Sequence, residues 1–313
     1  QHGFIRKRTT DTNLLECLYD WTINLQSREV TDVIYFDFKK AFDSVSHLKL
    51  LSKLQAYGIT GNLLAWINNF LSNRTQKVKI NNTLSHTVEV SSGVPQGSVL
   101  GPTFFLIFIN DVCDIFNNLT VSCKLYADDI KLYSCYDTKA SINDLSVAID
   151  KLYQWSVTWQ LPIAIDKCFL CHIANTHRLN NCSHTYHVNG CALPLVDHIR
   201  DLGVTVDSRL KFDKHIALIV HKAMSRCRLI LKCFHSRNAT IMLQAYVTYV
   251  RPILEYCSSV WSPHCKYLID KIEKVQRFFT KRLAGLHNMS YCNRLKSLHL
   301  QSLETRRLVH DLV

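Results

Sequence analysis

Thirteen consecutive residues, Cys123 to Cys135, do most to limit what this chain can fold into. They read C-K-L-Y-A-D-D-I-K-L-Y-S-C, nearly a palindrome about two adjacent carboxylates. The apolar and tyrosine flanks read as two short strands, with Asp128-Asp129 as the tip or turn between them. Two carboxylates at a hairpin apex repel by about 1 kcal/mol or more at close range. A hard divalent cation held by carboxylate oxygens is the usual remedy for that repulsion. An isolated Asp-Asp pair is ordinarily a plain turn, so its meaning depends on the rest of the chain.

A third carboxylate stands at the end of another strand. Val33-Ile34-Tyr35-Phe36 is an apolar, β-prone run that stops at Asp37, as a buried strand does when it delivers a side chain to its carboxyl end. Ser46 is placed to cap a helix with Leu48, Leu51 and Leu54 on one face, ended by Gly58. A strand-end Asp37 facing Asp128 and Asp129 gathers three carboxylates around one point. Such a set suits two Mg²⁺ ions clamping the attacking and leaving oxygens of a phosphoryl transfer. The plainer alternative is that Asp37 caps the segment after it.

Three runs then occur in order: F-D-F-K-K-A-F-D-S-V, S-S-G-V-P-Q-G-S-V-L-G-P and Y-A-D-D. They resemble motifs A, B and C of reverse transcriptases, and the wording of the second is similar to the non-LTR (LINE-type, jockey-like) retrotransposon polymerases. The resemblance begins at Q-H-G-F-I-R-K-R-T-T and continues through W-Q-L-P-I-A-I-D-K-C and D-L-G-V-T-V-D-S-R-L-K-F. It reaches A-Y-V-T-Y-V-R-P-I-L-E-Y-C-S-S-V-W-S-P. No single motif is decisive; several in correct order and spacing are very specific.

The resemblance implies an RNA-directed DNA polymerase that adds deoxynucleotides to a primer 3′-hydroxyl. Asp37, Asp128 and Asp129 would hold two Mg²⁺ ions, with Mn²⁺ as an alternative, helped by the backbone carbonyl of Phe38. Tyr126 and Ala127 complete the third motif. Phe42 stands where these enzymes carry an aromatic steric gate against the ribose 2′-hydroxyl, core packing being its other reading. Gly93, Pro95, Gln96 and Gly97 would form a loop close to the incoming nucleotide and template. Lys167 matches a lysine proposed to protonate the leaving pyrophosphate, although its neighbour Asp166 would raise its pKa and weaken it as an acid. Leu202 and Gly203 resemble a primer-grip turn. Asp43 is expected to be structural.

Charge is unevenly distributed. Residues 1–207 carry 18 Lys+Arg against 19 Asp+Glu, and residues 208–313 carry 19 against 6. A near-neutral catalytic body followed by a basic region suits a nucleic-acid enzyme, though a solvated basic face would also carry such charge. Within the basic region, Leu268, Ile272, Val275 and Phe279 make an apolar stripe on a helix from Tyr267 to Leu283. Lys274, Arg277 and Lys281 make a second stripe able to track phosphates. Gly285 is placed to end that helix.

At 47% hydrophobic residues the chain can bury a substantial core. The longest apolar stretch, from Pro102, is broken by Asn110-Asp111, too early for a bilayer span. Thirteen scattered cysteines, an odd number, fit reduced thiols and an intracellular location, nuclear or cytoplasmic. Cys168-Phe169-Leu170-Cys171-His172 fits the haem-attachment string, yet its alternation suits a strand, and no second C-x-x-C completes a zinc site.

Gly61–Leu71 reads as a helix. Gln76–Ile80 and Thr87–Val90 read as a hairpin, Thr103–Asn110 as a buried helix, and Ser141–Trp155 as an amphipathic helix. Leu161–Ile173 and Ile199–Val206 read as strands, with helices from Ile216 onward. The expectation is an α+β right-hand polymerase with helices packed on one face of the sheet. Its parts would be partial fingers over 1–30, a palm over 31–207 and a basic helical thumb over 208–313. The resemblance implies an RNA template, a DNA primer and deoxynucleoside triphosphates as partners, no membrane, and an endonuclease domain upstream in the full-length protein. The rival readings are a catalytically inactive retroelement remnant that only binds nucleic acid, and a maturase-like polymerase used in RNA splicing.

Overall fold

The computed structural model describes residues 1–136, 139–175, 178, 184–234 and 238–312. It divides into two compact units, Gln1–Asp197 and His198–Val313.

The first unit opens with helix α1 (Thr10–Gln26), whose start is fixed by a reciprocal capping box between Thr9 and Thr12. Strand β1 (Val30–Phe36) follows, buried along its whole length. Next come α2 (His47–Ala56) and α3 (Gly61–Leu71). Two short ladders pair β2 (Arg74–Gln76) with β5 (Val88–Val90), and β3 (Lys79–Ile80) with β4 (Thr83–Leu84). Then α4 (Leu100–Ile109), β6 (Ser122–Tyr126), β7 (Asp129–Tyr136), α5 (Lys139–Trp159) and β8 (Phe169–Ile173) complete the frame. A small ladder of β9 (His187–Val188) and β10 (Cys191–Ala192) ends it.

The main sheet is antiparallel, in the order β6-β7-β1-β8. Helices α4 and α5 pack on one face. Phe105, Phe108, Leu152 and Trp155 share a buried cluster there with Ile34, Phe36, Leu132 and Leu170. The other face is covered too: α1 lies on it, with Trp21 edge-on to Tyr133 at 5.8 Å. The expected one-sided packing is therefore corrected, and cover on both faces explains why β1 has no exposed alternate residues. Residues 1–30 carry this helix, which their mixed polarity conceals.

Other boundaries differ for physical reasons. In α2 the buried residues are Leu50, Lys53 and Leu54, while Leu48 is 81% exposed. The span from Leu161 is not a continuous strand, because Pro162 has no N–H to donate and Ile165–Lys167 forms a 3₁₀ turn before β8.

The second unit starts with the hairpin β11 (His198–Asp201) and β12 (Val204–Asp207). Helices Asp213–Cys233, Ala239–Tyr249, Arg251–Glu255, Ser258–Trp261, Lys266–Thr280, Tyr291–Ser297 and Leu303–Leu312 follow. In Lys266–Thr280 the stripe Leu268, Ile272, Val275 and Phe279 is buried as its spacing predicts. That helix is closed by Lys281 and not by Gly285, which lies further along. Among the described residues, no helix is long and apolar enough to cross a membrane.

Candidate active site

Two elements of the central sheet bring the carboxylates together. The pairing Phe36↔Ile130 stops one residue short of Asp37, and Tyr126↔Asp129 closes the β6–β7 hairpin. The turn is thus Ala127-Asp128, and Asp129 is the first residue of β7, not part of the tip. Ala127 has φ +53°, the left-handed geometry that the first position of a two-residue hairpin turn demands and that glycine usually supplies. Gln1 and His2 clasp this turn. Ala127 N–H donates to Gln1 Oε1 at 2.8 Å, and Gln1 Nε2 donates to the Ala127 carbonyl at 3.1 Å. His2 N–H donates to the Leu125 carbonyl at 2.9 Å. Gly3 lies so close to the Ala127 backbone that a Cβ there would collide with it.

The lysines flanking the Asp pair do not offset its charge. Lys124 and Lys131 face each other across the hairpin and are taken up by α1. Lys124 pairs with Glu16 at 2.9 Å, and buried Lys131 donates to Asn13 Oδ1 at 2.7 Å. Burial first, and the nearby charge of Asp37 as well, push the Asp128 carboxyl above the usual range against an opposing backbone hydrogen bond. On the other side Lys167 Nζ meets Asp37 Oδ2 at 3.1 Å. The Asp37 backbone is fixed by Ala164 N–H, which donates to its carbonyl at 2.8 Å.

Among the described residues, the three carboxylates do not converge as tightly as the trio Asp32, His172 and His184, whose ligand atoms all lie within 4.8 Å. The charge of Asp37 nevertheless reaches the Asp128 carboxyl. Hard oxygen donors that repel one another at a partly exposed site fit a divalent cation of the Mg²⁺ class.

The second motif is locked onto the segment after Asp37. Gly93 N–H donates to the Val45 carbonyl and Val94 N–H to the Phe42 carbonyl, both at 2.8 Å. Gln96 Nε2 donates to Asp43 Oδ1 at 2.7 Å, and Ser92 Oγ donates to the Asp43 carbonyl at 2.8 Å. His47 Nε2 bonds the Gly93 carbonyl at 2.8 Å. Asp43 is therefore the latch between the two motifs, and His47 a support that the sequence did not single out. Pro95 is buried, while Gln96 and Gly97 are exposed. Phe42 stacks on Phe105 at 4.2 Å and meets Phe4 edge-on at 6.1 Å. Phe38 is buried and bridges to Ile163.

The remaining candidates lie in the second unit. Leu202 and Gly203, at φ +44° and +91°, form the two-residue turn of β11–β12. Tyr256 donates its hydroxyl to the Leu202 carbonyl at 2.9 Å and lays its ring against Gly203. Lys274, Arg277 and Lys281 are exposed. Lys281 also lines a cavity of about 650 Å³ with Arg228, Lys232, Arg282 and His287.

Residues 1–239 match the family "Reverse transcriptase (RNA-dependent DNA polymerase)". The chain is 28% identical over 295 residues to the RNA-directed DNA polymerase from mobile element jockey of Drosophila funebris, covering 91% of this chain and 32% of that protein. It is 27% identical over 292 residues to a probable RNA-directed DNA polymerase from transposon BS of Drosophila melanogaster, covering 87% and 30%. It thus spans about a third of the length of these curated relatives. Among solved structures, apo telomerase from Candida tropicalis aligns with a TM-score of 0.46 at 10% identity, covering 96% of this chain and 49% of that one.

Proposed function

The chain belongs to the reverse transcriptase family, and we propose that it is the RNA-directed DNA polymerase domain of a non-LTR retrotransposon. The observation that carries this reading is Asp37, at the end of a fully buried central strand, beside Asp128 in the turn of the neighbouring hairpin. Asp37, Asp128 and Asp129 would hold two Mg²⁺ ions, with Mn²⁺ as a substitute, joined by the Phe38 carbonyl. Bound there, the ions would activate the primer 3′-hydroxyl and neutralise charge on the triphosphate.

The chain's own groups do the rest. Phe42, held flat by Phe105, is the gate that a ribose 2′-hydroxyl would strike. Pro95, Gln96 and Gly97, positioned through Gly93 on Asp43, present the loop to nucleotide and template, with Tyr126 and Ala127 at the hairpin. Lys167 is the candidate proton donor to the leaving pyrophosphate. Its pairing with Asp37 supports a second role as that carboxylate's counter-ion. Leu202 and Gly203 form the primer grip, and Lys274, Arg277 and Lys281 contact phosphates. Partial fingers, palm and thumb over 1–30, 31–207 and 208–313 remain the proposed division. RNA template, DNA primer and deoxynucleoside triphosphates are the proposed partners. Target nicking would belong to a separate endonuclease domain of the full-length protein. Its proposed location is intracellular, nuclear or cytoplasmic.

The test is primer extension on an RNA template with deoxynucleotides and Mg²⁺, using the full-length protein and this chain, each beside Asp37→Asn and Asp128→Asn. Extension that falls at least about 10³-fold in both variants supports the assignment. Salt-sensitive RNA binding without extension would instead support the inactive-remnant reading.

A further inference from the structure

A second cluster of chemistry lies at the other end of β1. Asp32 is fully buried and stands five residues before Asp37, roughly 16 Å away along the strand. Its register partner on β8 is His172, whose Nδ1 meets Asp32 Oδ1 at 2.5 Å. His184 Nε2 meets Asp32 Oδ2 at 2.5 Å, and the Tyr186 hydroxyl donates to the same oxygen at 2.7 Å. The two imidazole rings stand 5.5 Å apart. Polymerase chemistry uses none of these groups.

We infer that Asp32, His172 and His184 form a binding site for one zinc-class divalent ion, separate from the polymerase carboxylates. Two imidazoles and a carboxylate from three separate segments, with ligand atoms all within 4.8 Å, make a nitrogen-rich donor set. Such a set selects Zn²⁺ and its neighbours over Mg²⁺. Tyr186 or a water would take the fourth position. Here the rings hydrogen-bond directly to the carboxylate. Ligands about 2.1 Å from a tetrahedral ion stand about 3.4 Å from each other, so loading spreads each contact by about 1 Å.

The surroundings permit that movement. His172 Nε2 is buried with no hydrogen-bond partner among the described residues, so its second nitrogen does not pin the ring. The His184 side chain is 22% exposed while that of Asp32 is fully buried, which gives the ion a way in. Of the C-x-x-C-H string only His172 takes part; Cys168 and Cys171 are buried and lie outside the trio.

The experiment is a titration of the chelator-treated full chain with ZnCl₂ by calorimetry, followed by X-ray absorption of the one-equivalent complex. The expected result is one saturable equivalent with a shell of nitrogen and oxygen near 2.0–2.1 Å, and no sulfur near 2.3 Å. His172→Gln and His184→Gln keep an N–H donor for Asp32 and should each weaken binding at least about 100-fold. Asp37→Asn should leave the stoichiometry unchanged. No saturable equivalent, a sulfur shell, or binding in both glutamine variants as tight as in the unsubstituted chain would overturn the site. If the variants fail to fold, the absorption shell of the unsubstituted chain decides by itself.

Discussion

Lys167 Nζ lies 3.1 Å from Asp37 Oδ2, and this carboxylate, more than its sequence neighbour Asp166, holds the ammonium above the ordinary lysine range. Asp37 therefore has a protein cation within ion-pair distance. Exchange of one cation for another follows, since a carboxylate oxygen ion-paired to lysine is less available to a metal.

The first prediction concerns that exchange. Lys167→Ala should lower the Mg²⁺ concentration giving half-maximal extension by about 3- to 10-fold, because the competing charge is gone. If Lys167 also donates a proton, the maximal rate should fall by about 10²-fold or more. Extension measured across a Mg²⁺ series separates the two effects. A raised half-saturation would refute the competition.

The second prediction concerns the latch between the motifs. A Cβ on Gly93, at φ +90°, would stand 2.8 Å from the Cα and carbonyl oxygen of Asp43. Backbone would have to move, so Gly93→Ala should cost about 2–4 kcal/mol. Gly97 also has positive φ, at +77°, but nothing lies within 4 Å of its added Cβ. Gly97→Ala should therefore lose only about 1–2 kcal/mol, from the backbone conformation alone. Thermal unfolding of the two variants side by side measures the difference, and equal losses would show that contact with Asp43 is unimportant.

The elements that carry Asp37 and Asp128 were legible because their signals are local. An apolar β-prone run ending in Asp37, an alternating hairpin and an all-apolar helix need no partner to be recognised. What stayed hidden depends on tertiary contacts. The α1 capping box uses Thr12 where the usual glutamate or glutamine would give it away. Lys53 sits on the buried face of α2 because Asp111 and the Trp159 ring, 3.7 Å from its ammonium, receive it there. No helical periodicity could assign a lysine to that face. The Gln96–Asp43 bond and the Gln1 clasp join residues 53 and 126 positions apart, beyond any window of local pattern. Periodicity also misplaced Leu48, since spacing alone does not say which of two overlapping leucine stripes meets the core.

The third prediction is a pH dependence. His215 is buried, its Nδ1 accepts the Thr205 N–H at 3.1 Å, and its ring lies 5.2 Å from that of Trp261. Burial, with Arg200 adding to it, lowers its pKa from 6.5 to about 4. Between those values the unfolded chain takes up a proton that the folded chain refuses, so stability rises with pH there. The neutral imidazole's contribution is complete above pH 6.5 and is lost as pH falls toward 4, to a total of roughly 3 kcal/mol. Urea midpoints from pH 7 to pH 4 should show this slope, and His215→Gln should flatten it. An unchanged slope in the variant would assign the acid sensitivity to other groups.

The fourth prediction concerns the basic helix Lys266–Thr280 and its close. Lys274 and Lys281 are exposed, and Arg277 is held over the Tyr291 ring at 5.0 Å with Asp270 3.8 Å away. An arginine oriented by an aromatic face and a weak, exposed ion pair gives up little to meet a phosphate. If all three cations neutralise phosphates of bound nucleic acid, each releases counter-ions. The slope of log affinity against log salt should then fall by about 0.7–0.9 per cation removed. The triple change to alanine should therefore reduce the slope by about 2–3 units, with little change in preference among sequences, because phosphate contacts carry no base information. Binding of a single-stranded RNA measured at several salt concentrations reads this directly. A slope equal to that of the unsubstituted chain would move the phosphate contacts elsewhere, with the cavity lined by Arg228, Lys232 and Arg282 the next surface to substitute.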